Sequence, residues 1–350
     1  MEILSNSYFL DVVKVIIIFA GVMTMVPVLI WLERKVVADV QIRLGPNRLG
    51  PFGAMQPLAD ALKLMFKEDI TPAGADKFIY YLAPLLAILP ALLAAAVIPF
   101  GPAPWARVID LNHSVLYSLA LSSLSVYAVA LAGWASNNKY SLMGAVRSAA
   151  QMISYELGMG LSIIALLMMT GTMNIREMVE LQNAGGWNII RAPFMFVAFL
   201  TFMICGIAET NRAPFDLAEA ESELVAGFHT EYSSFKFAIF FMAEYVNMVI
   251  FSALAAAMFL GGWSGPGVNF DSATGTVEGG LPFVLLGIVY FVIKIFAFLF
   301  FYFWLRASLP RFRYDQLMNF GWKFLVPLGL VNIFVSALIY AWRDGWFNQL

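Results

Sequence analysis

The chain has a single cysteine, Cys205. An iron–sulfur cluster takes four thiolates, so this chain alone is not expected to hold one. Its two histidines, His113 and His229, are separated by three long apolar stretches and fall on opposite faces of a membrane. They therefore cannot share a zinc ion or a haem. Neither G-x-G-x-x-G nor G-x-x-x-x-G-K-[ST] occurs, which removes the usual dinucleotide and triphosphate cradles. Charge is scarce as well, at 13% Asp, Glu, Lys and Arg. A soluble domain carries about 25%. No fixed-period repeat or low-complexity linker divides the 350 residues, so they are read as one polytopic domain.

What the chain has in abundance is oil: 61% of its residues are hydrophobic and its mean hydropathy is +0.78. A helix needs about 20 apolar residues to cross a bilayer. Eight stretches qualify, near 12–32, 79–100, 115–135, 149–170, 192–208, 236–260, 282–304 and 324–342. Backbone groups in lipid must be satisfied internally, so the expected fold is an all-α integral membrane bundle. The first stretch has no basic residues ahead of it and ends in Trp31-Leu32-Glu33-Arg34-Lys35, so it reads as a retained span rather than a cleaved signal.

Basic residues orient the bundle. Fifteen lie in the loops after spans 1, 3, 5 and 7, against four on the other side. The positive-inside rule then places those loops in the cytoplasm and both termini outside, on the periplasmic side in a bacterium.

The basic side carries unusual segments. In "WLERKVVADVQIRLGPNRLGPFG", residues 31–53, glycine and proline favour turns over helix, and Arg43 and Arg48 add charge. Near residues 55–67, Leu58, Leu62, Met65 and Phe66 recur at helical spacing opposite Asp60, Lys63 and Lys67. This predicts an amphipathic helix, either lying in the membrane interface or packed on the protein's own surface. The stretch "ETNRAPFDLAEAESELVAGFHTEYS", residues 209–233, gathers six of the 23 acidic residues around one arginine. Asp216 and Glu219 have N-cap and N3 spacing, and Gly227 is placed to stop the helix they would begin.

Charges also enter the spans. Glu156, Glu244 and Lys294 sit within apolar stretches, where each charged group costs about 2.5–3.5 kcal/mol at the centre. Such residues mark proton or ion paths, or else form static ion pairs between helices. Together with Glu209 and Glu33 they favour a relay.

These stretches, with "QPLADALK" (56–63) and "RASLPRFRYDQLM" (306–318), closely resemble the H-subunit family of bacterial NADH:quinone oxidoreductase, respiratory complex I, and its mitochondrial subunit 1 counterpart. The resemblance runs from about residue 25 to 330. It implies a membrane-arm subunit of a proton-translocating enzyme, in the bacterial inner membrane, with no redox centre of its own. Quinone is the implied substrate, and FMN and iron–sulfur clusters belong to partner subunits. Peripheral-arm subunits would dock on the cytoplasmic face, with small and antiporter-like subunits beside it in the membrane, and no nucleic acid. Carried over by motif, Glu33, Arg34, Arg43, Asp60, Arg212, Asp216, Glu219, Phe241 and Arg306 resemble quinone tunnel or chamber residues. Glu156, Glu209, Glu221, Glu223, Glu244 and Lys294 resemble the charged path. A stand-alone cation/proton antiporter or channel is the competing function. It would explain the intramembrane charges but not the elaborate loops.

Overall fold

The computed structural model describes residues 7–216, 226–268, 270–271, 276–277 and 280–343. Helix α1, Ser7–Val40, runs eight residues beyond the expected end of span 1. Glu33, Arg34 and Lys35 are good helix formers, so the end of the apolar run is not the end of the helix. The helix stop lies at Ile42, which takes a left-handed φ of 55°, with the Arg43 amide donating back to the Ala38 carbonyl at 2.9 Å. Glu33 and Arg34 thus ride on a helix, where the sequence reading placed a turn-rich loop.

Helix α2, Gln56–Phe66, falls where the amphipathic pattern predicts it, with Pro57 in its first turn. Leu58, Leu62, Met65 and Phe66 are all exposed, so α2 does not bind the bundle through its apolar face. Helix α3, Lys77–Ala95, starts at Asp76, whose carboxylate accepts from the amides of Phe78 and Ile79. Helix α4 covers Ser114–Ala135. Helix α5, Lys139–Thr170, is capped by Asn138 and ends at Gly171, which takes the left-handed φ of 71° that a helix stop favours. It starts ten residues before the expected span. The short helices α6, Ile175–Gly185, and α7, Asn188–Arg191, occupy what hydropathy leaves as a loop.

Helix α8, Pro193–Glu209, is apolar but only 17 residues long. Helices α9, Ser234–Phe259, and α10, Leu281–Ser308, follow. The last run joins α11, Tyr314–Phe320, through a π turn at Gly321–Leu325 to α12, Val326–Arg343. Among the described residues, seven helices are long and apolar enough to cross a membrane, and α8 is the shorter eighth. Among the described residues the strand pairing is a two-residue antiparallel pair, Phe270–Asp271 with Thr276–Val277. Glu219, Glu221, Glu223 and the helix expected between Asp216 and Gly227 lie outside the described residues. Gly227 itself, at φ 60°, opens a 3-10 turn, Gly227–His229.

Helix α9 is the buried axis of the bundle, packed on α3 and α10. Around it α3 lies on α4, α4 on α5, α5 on α8 and α12, and α1 on α10. The α3–α4 contact is rich in Ala83, Ala87, Ala128 and Ala132, small side chains that let backbones approach where lipid provides no hydrophobic drive. The segments after α1, α4, α8 and α10 gather the basic residues and define what is called below the basic end.

A buried charge junction beside a cavity

At the basic end, helix spacing sets the chemistry. On α9, Phe241, Glu244 and Tyr245 follow i, i+3, i+4 and share a face. Helix α1 brings Glu33 to that face, α10 brings Arg306, and the turn after α8 brings Arg212. Glu33 is 5% exposed. Its Oε2 accepts from the Tyr245 hydroxyl at 2.7 Å, and its Oε1 accepts from Arg306 and, at 3.4 Å, from Arg212. The Arg212 guanidinium lies 4.1 Å from the Tyr245 ring centre and 5.6 Å from that of Phe241. Its second amino group is 3.8 Å from Oε2 of Glu244. One buried arginine is therefore shared between two carboxylates. Desolvated charges persist only when paired and hydrogen-bonded in this way.

The junction borders a cavity of about 480 Å³. Five residues singled out from the sequence line it: Glu33, Arg34, Arg43, Phe241 and Arg306. Ile30, Val37, Ala38 and Leu44 supply apolar wall. A space of this size, its wall divided about evenly between polar and apolar surface, suits a small amphipathic organic molecule. Arg34 pairs with Asp60 at 2.7 Å and so ties α2 to the cavity rim. The loop that closes one side is held to α1 by Trp31, whose Nε1 donates to the Phe52 carbonyl, and by Lys35, which donates to Asn47. Gly53, at φ 76°, is needed there because a Cβ would collide with the Pro46 carbonyl.

Behind the junction Glu244 also faces a second cavity, of about 30 Å³, with Glu209, Ser125, Asn211 and Asn247. That is room for a water molecule or two. Glu209 is 2% exposed, and neither carboxylate oxygen has a hydrogen-bond partner among the described residues. Glu156 accepts from the Ser123 hydroxyl and lies within electrostatic range of Glu209. His229 does not bring a positive charge to these acids: burial pushes its pKa down to about 4, against a weaker opposing pull from Asp216.

Two of the expected site residues stand apart. Asp216 accepts from Arg311 at 2.8 Å, outside the cavity wall. Lys294 donates to the carbonyls of Leu260, Gly262 and Ser264, each at 2.7 Å, with its ammonium 5.0 Å from the Trp187 ring centre. It meets the C-cap carbonyl of α9 at Leu260, which a helix terminus leaves open, and pins the following turn through Gly262 and Ser264. Conversely, sequence reasoning missed Tyr245, Ser123, Asn247 and Gln151. Tyr245 carried a usable signal, one turn from Phe241 and adjacent to Glu244. The others are ordinary polar residues within helices.

The family model described as NADH dehydrogenase matches residues 13–337. The chain is 49% identical to an H subunit, the one numbered 2, of the NADH-quinone oxidoreductase of Koribacter versatilis, over 94% of this chain and 96% of that one. It is 48% identical to the H subunit numbered 1 of the same enzyme from Solibacter usitatus, over 98% and 99%. The H subunit numbered 1 from Geobacter metallireducens is 49% identical over 94% and 96%.

Proposed function

The chain belongs to the NADH dehydrogenase family, and from that premise we propose that it is the membrane subunit through which a proton-translocating NADH:quinone oxidoreductase admits quinone and couples its reduction to proton movement. The observation that carries this reading is the shared arginine: Arg212 touches Glu33 on the cavity wall and Glu244 behind it. Quinone occupies the 480 Å³ cavity from the side of α2, whose exposed apolar side chains lie in the membrane interface. The basic end faces the cytoplasm, both termini face the periplasm, and the whole chain forms one polytopic domain of the inner membrane. FMN and iron–sulfur clusters in partner subunits docked on that end supply the electrons.

Within this chain the work is positional and electrostatic. Arg34, Arg43 and Arg306 surround the cavity and favour negative charge that develops on a quinone being reduced. Charge arriving there competes with Glu244 for the Arg212 guanidinium. A carboxylate that loses a cation within about 4–6 Å holds a proton more readily, so Glu244 takes one up. The water-sized cavity joins Glu244 to Glu209, and Glu156 lies beyond. Quinol departure restores Arg212 to Glu244 and expels the proton along the acids. A stand-alone antiporter would have no use for a cavity of this size at the foot of α1.

Val37 lines the cavity without joining an ion pair. Val37→Trp is expected to lower reduction of long-tailed quinone about tenfold or more per assembled complex, on the scale of a blocked binding pocket. NADH oxidation by a hydrophilic acceptor that bypasses the membrane arm should be unchanged. Equal loss of both activities would count against the cavity as the quinone site.

A further inference from the structure

We propose that Gln151 is a positioning residue that sets the place of Arg212 between Glu33 and Glu244; the inference rests on the reading given under Proposed function. Gln151 lies on α5, fully buried, and touches neither cavity nor ion pair. Its Nε2 donates to the carbonyls of Ala208 and Phe215, both at 2.9 Å, with the Asn211 side-chain oxygen a longer 3.4 Å away. Ala208 is in the last turn of α8, and its carbonyl also accepts from the Asn211 backbone amide at 3.3 Å. Phe215 is seven residues on. One side-chain amide therefore closes the two ends of the segment that carries Glu209 and Arg212.

The segment needs that closure. Asn211 sits at φ 49°, in the left-handed region that asparagine tolerates better than most residues. Its side chain is held by Ser148, one turn before Gln151, whose hydroxyl donates to it at 3.3 Å. The Asn211 side-chain amide also donates to Sδ of Met152 at 3.6 Å, so the turn is fastened to α5 over Ser148–Met152, four residues before Glu156.

The chemistry of the site selects glutamine. A planar NH₂ presents two donors at a fixed angle and carries no charge, which two backbone carbonyls in a buried site require. A carboxylate would repel both carbonyls, and asparagine is one methylene too short to reach the pair. The amide oxygen, Oε1, is buried without a hydrogen-bond partner among the described residues. A methionine would fill the same space with no such orphan, so packing alone does not account for a glutamine here. Its two donors do.

The test is a double-mutant cycle in the assembled complex, in membrane vesicles, using Gln151→Met, Arg212→Lys and the pair. Lysine keeps the charge of Arg212 but loses the fork that spans two carboxylates. Each single substitution is expected to lower kcat/KM for a long-tailed quinone about tenfold, within the range of coupled neighbours. The pair should be no worse than Arg212→Lys alone, because a displaced turn has no further guanidinium to misplace. Protons moved per electron should fall in Gln151→Met. Activity with a hydrophilic acceptor should hold throughout. Multiplication of the two losses would overturn the inference and leave the proposed function standing. A wild-type rate in Arg212→Lys would overturn both. Should Gln151→Met fail to assemble, Gln151→Asn, with one carbonyl still in reach, is measured in its place. Failure of both to assemble would make Gln151 a folding brace and overturn the positioning role.

Discussion

Two clusters of opposite charges sit at the two ends of the bundle, and they differ in what surrounds them. At the basic end, Glu33, Arg212, Glu244 and Arg306 come from four separate segments, with Glu33 and Arg212 under a tenth exposed, beside an open cavity. At the other end, Asp110 accepts from Arg176 at 2.7 Å, Arg107 at 3.2 Å and Asn174 at 2.9 Å, while Arg176 also reaches Glu180 at 2.6 Å. Arg107, Asp110 and Arg176 are about a quarter to a third exposed, Glu180 is more sheltered and Asn174 is buried, and water shares the work of solvating the charges. Burial works against the Asp110 charge, but the Arg176 and Asn174 hydrogen bonds outweigh it and hold the carboxyl below its usual range. The outer cluster is a clasp between the segment after α3 and helix α6. Both clusters share one arginine between two acids, but only the inner arginine is under a tenth exposed and beside a cavity. Ion pairs alone do not make a site. Desolvation and an adjoining cavity do.

The contrast breaks most visibly at Glu33. Glu33→Ala leaves Arg212 and Arg306 facing each other without the carboxylate between them, and stranding buried charge costs about 3–5 kcal/mol. Native gels of solubilised membranes should show assembled complex falling steeply, and what remains should not reduce quinone. Normal assembly would mean the junction is far wetter than its burial implies.

The same surgery at the outer end should be mild. Asp110→Asn removes one charge from a partly exposed cluster, where a pair contributes about 0–1 kcal/mol. Because the folded pKa of Asp110 is lowered, its contribution is present above the ordinary carboxylate pKa and is lost as pH falls through the lowered value. Thermal stability of Asp110→Asn should therefore lie slightly below wild type at neutral pH and converge with it in acid. Quinone reduction should be unchanged. A large loss of activity would erase the distinction between clasp and site.

Much of this was legible from the residues, and the physics says which part. Hydropathy finds oil, so the long apolar helices and the family resemblance stand, the latter matched across residues 13–337. Hydropathy does not find helix ends: α1 continues to Val40 and α5 begins at Lys139, and glutamate, arginine and lysine extend a helix about as readily as leucine does. The short α6 and α7 lack the length for any apolar signal. At the site, charged residues were conspicuous against the oil, and Glu33, Arg34, Arg43 and Arg306 share one cavity wall. Lys294 was conspicuous too, yet its partners are backbone carbonyls, which no residue type advertises. Gln151 was invisible for the same reason, its partners lying 57 and 64 residues away in the chain.

The central claim is that Glu244 carries a proton between the quinone cavity and the acids beyond it. The direct measurement is Glu244→Gln in membrane vesicles, with quinone-reductase rate and proton pumping both normalised to assembled complex. Glutamine keeps the shape and can still hydrogen-bond, but it cannot ionise. A relay residue that is neutral for part of the cycle should tolerate glutamine structurally, so the account predicts near-normal assembly with quinone-coupled pumping sharply reduced. Normal pumping per assembled complex would remove Glu244 from the path. Loss of assembly would contradict the account from the other side, by making Glu244 the fixed partner of Arg212.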